Sequence, residues 1–100
     1  MNPAISAKRH IRDGKLLLVV CDTALLGKKI LDEDKQLDLS AVYYQGTAIL
    51  EGDLVRTCGE AYIIDCVGPK AIKMLVAHRI IDEKDVLKIG DTPYSLLYRG

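Results

Sequence analysis

From residue 15 onward the chain reads KLLLVVC, with every position from Leu16 to Cys21 apolar. An unbroken apolar run of strand length predicts a strand buried on both faces, and therefore the centre of a sheet. After it, Asp22 reads as the N-cap of one helical turn, TALL, and Gly27 as the left-handed residue that stops it. The segments KKIL and QLDLS flank the polar DEDK, and the alternation of Leu37 and Leu39 with Asp38 and Ser40 predicts a half-exposed strand and a hairpin. Gly46 marks a tight turn beside Tyr43 and Tyr44.

A helix is expected over residues 51–58, where early acidic residues suit the helix dipole, with Gly59 closing it. AYIIDCV, residues 61–67, is a second buried strand. GPKAIKMLVAHR is the clearest helix: Pro69 fits its first turn, and Ile72, Leu75, Val76 and Arg79 recur at helical spacing. DEKDVLKIG and PYSLLYR read as two strands around the turn GDTP. Residues 1–13, with Pro3 and a basic cluster, read as a flexible basic arm or a first edge element, and residues 14–100 as a single globular domain. The fold class is α+β (mixed α/β), a small sheet of about five strands with two main helices packed on it.

One hundred residues suffice for one hydrophobic core and not for two. The core should be aliphatic, because the chain has no Trp or Phe and its five Tyr belong at the margins. Fourteen basic and fourteen acidic side chains cancel, which excludes nucleic-acid or membrane binding through bulk charge and leaves only local patches. One such patch is Lys8, Arg9, Arg12 and Lys15 against Asp13 alone. Three cysteines with no C-x-x-C spacing argue against a disulfide framework or a zinc site and for a reducing cytoplasm. No apolar stretch is long enough for a signal peptide or a membrane span, and neither a metal nor a cofactor is expected.

Cys21 beside Asp22 raises the question of an active-site corner. A nucleophilic cysteine needs a base, and only His10 and His78 are available, so a buried structural thiol is favoured. Asp22 is more simply a helix cap than a general acid or base. Lys28 and Lys29 follow a glycine, yet the phosphate-loop pattern is absent because no glycine stands five positions before Gly27. In DCVGPKAIKM the strand–glycine–helix corner offers free amides at Gly68 and the cations Lys70 and Lys73, an arrangement that suits phosphate. Tyr43 and Tyr44 are candidates for base stacking or for packing, and His78 is a capping histidine at the end of its helix.

Cys21, Asp22, Leu25, Leu26, Gly27 and Lys28, the aromatic pair with Gly46, Val67-Gly68 opening a helix, and HRIIDEKDVLKIGDTP share one order and spacing. Over residues 16–93 this set resembles an uncharacterised archaeal family known as domain of unknown function 424. Asp65 and Tyr94 depart from it, standing where the family typically has an asparagine and a His-containing turn. The resemblance implies a small cytoplasmic protein linked to translation, with RNA or ribosome binding.

The leading expectation is therefore a non-enzymatic RNA- or ribosome-associated module. Its phosphate contacts would be Lys8, Arg9, Arg12, Lys28, Lys29, Gly68, Lys70 and Lys73, with Tyr44 stacking. The alternatives are a small enzyme with a site near Cys21, Asp22 and Asp65, and an interaction subunit that buries Tyr43 and Tyr44 in a protein partner.

Overall fold

In the computed structural model, which describes residues 4–99, the chain forms β1 (Ile5–Arg12), β2 (Lys15–Asp22), β3 (Lys29–Asp32), β4 (Lys35–Asp38) and β5 (Thr47–Ala48). Then follow α1 (Glu51–Glu60), β6 (Ile63–Val67), α2 (Pro69–Ala77), β7 (Leu87–Ile89) and β8 (Thr92–Tyr98). The main sheet has the order β5-β1-β2-β6-β8-β7, and β3 and β4 form a separate two-stranded hairpin. Among the described residues only β2 and β6 pair in parallel, and the connection between them carries β3, β4, β5 and α1. The class is α+β with two helices, as expected, but the main sheet has six strands rather than about five.

Two of the six, β1 and β5, are beyond the strands expected, while the expected hairpin strands β3 and β4 stand apart; the longer addition is β1. Asp13 and Gly14 both take positive φ, 52° and 76°, the two left-handed positions of a type I′ turn whose twist matches the flanking strands. That turn folds residues 5–12 back along the whole of β2, from Arg12 opposite Lys15 to Ile5 opposite Asp22. The expectation of a flexible basic arm is thus corrected for residues 5–12, because their backbone is committed to the sheet. Its first three residues, like Gly100, lie outside the described residues.

Strand alternation gives the sheet two unlike faces. Leu16, Leu18 and Val20 of β2 join Ile64 and Cys66 of β6 under both helices, which contribute Leu54 and Cys58 from α1 and Ala71, Ile72 and Leu75 from α2. This is the main core, where full burial of each large aliphatic side chain contributes about 1.5–3 kcal/mol. The opposite face is covered at one end only. There Cys21 and Val67 pack with Leu39, and half-buried Leu25, Leu26, Ile30, Leu37, Tyr44 and Tyr94 surround them. Beyond that lid the face opens, and Leu96 and Tyr98 of β8 are exposed.

Candidate functional site

Parallel pairing of β2 with β6 sets Cys21 beside Val67, so the two strand ends that looked reactive do meet. They meet inside the protein. The Cys21 thiol is 1% exposed, donates to the Asp22 carbonyl at 3.4 Å, and has its pKa pushed up to about 12 by burial and then by the Asp22 and Asp65 charges. A thiol held neutral in this way is no nucleophile at neutral pH. Cys58 is pushed up to about 11 by burial, and the deeply buried Cys66 is raised by the same cause.

Asp22 is a cap, but of a different helix from the one expected. It makes no side-chain bond to the 3₁₀ turn Thr23–Leu25 that follows it. Instead Oδ2 accepts from the Lys70 amide at 3.1 Å and Oδ1 from the Ala71 amide at 2.7 Å, so the carboxylate sits on the N-terminus of α2. Gly68 makes this approach tolerable, since a Cβ there would lie 2.5 Å from the Asp22 carboxyl carbon, and its φ is +109°. The phosphate cradle expected at Gly68 is therefore corrected: an internal anion already occupies those amides.

The cations expected to act together are distributed over separate surfaces. Lys8 donates its ammonium to the Val42 carbonyl at 2.7 Å. Arg9 lies on the helix side of β1, with its guanidinium 3.9 Å from Glu60. Lys28 and Lys29 are exposed where the β3–β4 hairpin begins, and Lys70 and Lys73 line a shallow recess along α2 with Met74, Ala77, His78 and Glu51. His78 caps α2 and places Nε2 2.8 Å from the Glu51 carboxylate, which ties the end of one helix to the start of the other.

Tyr43 and Tyr44 are engaged within the chain. The Tyr43 hydroxyl donates to Asp65 at 2.9 Å, its ring stacks on His10 with centroids 5.0 Å apart, and it meets Tyr44 edge-on at 4.9 Å. Burial raises the pKa of Asp65, and the Tyr43 hydrogen bond opposes that shift in part. Burial also pushes Tyr44 up to about 12. Both tyrosines are half-buried, and their rings pack on each other and on His10.

What the structure does assemble is a recess of about 320 Å³ on the open face, between the β1–β2 turn and the neighbouring ends of β6 and β8. Its polar rim is Arg12, Asp13 and Lys15, its floor includes Leu17 and Ile63, and its aromatic wall is Tyr62 and Tyr98. The two rings meet edge to face with centroids 5.0 Å apart, and their hydroxyls lie 2.8 Å apart in a shared hydrogen bond. The Lys15 ammonium lies 4.2 Å from the Tyr62 ring centroid, within cation–π range. Arg12 and Lys15 face each other across the turn, so both cations emerge at the same edge of the recess.

Of the expected contact residues, only Arg12 lies here. Lys15 reads from the sequence only as one charge of the basic patch, and Tyr62 and Tyr98 carry no expected role, although Asp13-Gly14 is a strong hairpin signal and Tyr94, Leu96 and Tyr98 alternate as one strand face should. Among the described residues no cluster of His, Cys, Asp and Glu could hold a metal, and no helix is long and apolar enough to cross a membrane.

A family model described as "Protein of unknown function (DUF424)" matches residues 10–99, which include every residue of the recess. The chain belongs to this family. The DUF424 chain is also similar to a solved structure, that of an uncharacterized conserved protein from Methanopyrus kandleri. The two are 19% identical, with a TM-score of 0.80 over 94% of this chain and 90% of that one, so they share the DUF424 fold. No curated protein matches the sequence.

Proposed function

We propose that this protein binds single-stranded RNA through the recess on its open sheet face, as a non-enzymatic component associated with translation. The observation that carries the reading is the Tyr62–Tyr98 wall with the Lys15 ammonium 4.2 Å from one ring centroid and Arg12 beside it. Stacking on an exposed ring accepts any unpaired base, while adjacent cations neutralise the backbone. RNA rather than DNA follows from the link to translation that the family resemblance implies, and the ribosome is the RNA-bearing partner this reading favours. The enzymatic alternative is disfavoured by the buried, neutral Cys21 and the capping role of Asp22.

The test is fluorescence anisotropy with a short single-stranded oligoribonucleotide and with a duplex of the same sequence. The single strand should bind more tightly, and its affinity should fall with salt at a logarithmic slope of roughly −1.4, since each of two phosphate contacts releases about 0.7 of a counterion. Equal affinity for the duplex, or no binding at low salt, would remove the proposal.

A further inference from the structure

We infer that the chain pairs with a second copy of itself along the unprotected outer edge of β8, giving a two-fold dimer with one continuous sheet. The register identifies the edge. The Gly68 amide donates to the Pro93 carbonyl and the Arg99 amide to the Tyr62 carbonyl, so in β8 the residues bonded to β6 are 93, 95, 97 and 99. The backbones of Tyr94, Leu96 and Tyr98 therefore point outward. β7 takes up Tyr94 and ends there, at Leu87. Among the described residues nothing hydrogen-bonds the outward backbone of Leu96 or Tyr98.

Sheet edges are normally guarded by short strands, charges or proline. β5 has two residues, and Lys88 is the outward-pointing residue of β7. The β8 ledge carries neither charge nor proline at its two outward residues, and Leu96 at 67% and Tyr98 at 63% are among the most exposed large apolar side chains.

A copy of the same strand fits this ledge. Antiparallel pairing of Leu96 with the other copy's Tyr98, and the reverse, satisfies four outward groups on each chain and stops where β7 begins. The two-fold axis runs midway between the two copies of Leu97, perpendicular to the sheet, so both open faces lie on the same side. Each Tyr98 then sits roughly 8 Å from its counterpart, from a strand spacing near 4.8 Å and a rise of about 3.4 Å per residue. The inference does not depend on RNA binding.

Sedimentation velocity of the full chain without nucleic acid tests it. The expected species at high protein concentration has twice the 11.0 kDa chain mass. Leu96→Pro removes an outward amide and no bond to β6, and Leu96→Lys places a charge on the ledge. Both variants should sediment as monomers, with circular dichroism checking that the fold is kept. If Leu96→Pro fails to fold, Leu96→Lys alone decides. A wild-type monomer at every concentration, or a folded Leu96→Lys variant that dimerises as wild type does, overturns the inference.

Discussion

Asp22 and Gly68 depend on each other. The carboxylate is 4% exposed and satisfies two amides at the start of α2, and it reaches them only because residue 68 has no side chain. Replacing Asp22 with Ala leaves the buried Ala71 amide and the part-buried Lys70 amide without this partner and should cost about 1–3 kcal/mol in urea unfolding, with Asp22→Asn losing less. Gly68→Ala should cost more than about 1 kcal/mol, because strain at positive φ adds to a clash with the cap. Asp65 predicts a pH effect of opposite sign to that of an ordinary paired carboxylate. Its folded pKa is raised above the unfolded value near 3.8, so the folded state holds the proton more tightly. Stability contributed by the protonated form is then present in acid and lost as pH rises through the folded pKa. Asp65→Asn removes this dependence. Thermal unfolding should show the variant gaining on wild type between pH 4 and neutrality, and a constant difference across that range would contradict the assignment.

At the scale of elements, the β1–β2 hairpin decides whether there is a site at all. Its turn brings Arg12 and Lys15 together and sets both beside Tyr62, just before β6, and Tyr98, at the end of β8. Gly14 has φ 76°, and a Cβ there would meet nothing within 4 Å, so Gly14→Ala isolates the backbone cost, expected at about 1 kcal/mol in the same unfolding assay. Strand β2 was legible in the sequence because six apolar positions in succession leave little choice, and α2 because its apolar residues keep helical spacing around Pro69. β1 was not, because its alternation is masked by charge: Lys8, His10 and Arg12 occupy the open face, and Arg9 interrupts the other. The cap of α2 was illegible for a different reason. Asp22 and Ala71 are 49 positions apart, and only the parallel pairing of β2 with β6 brings them together. Local rules assign a capping residue to the helix that follows it. Tyr62 and Tyr98 belong to the same class, since their contact spans 36 residues and follows from β6–β8 register.

For the whole molecule, the asymmetry of the sheet is the functional statement. One face is sealed by two helices over an aliphatic core, while the other is covered at one end by the β3–β4 hairpin and left open at the other. On the proposed reading, a chain of zero formal net charge would bind RNA only through a local site, which places the whole salt dependence on Arg12 and Lys15. Tyr98→Ala should weaken binding by about tenfold or more without altering the salt slope, whereas Lys15→Gln should flatten the slope by about 0.7. Anisotropy titrations at several ionic strengths separate the two effects. The most direct measurement is a backbone amide NMR titration of the full chain with a short single-stranded oligoribonucleotide. The shifts should concentrate at residues 12–17, 62, 63 and 98, around the recess. Shifts confined to α2 or to the β3–β4 hairpin, or none at all, would contradict a binding site on the open face.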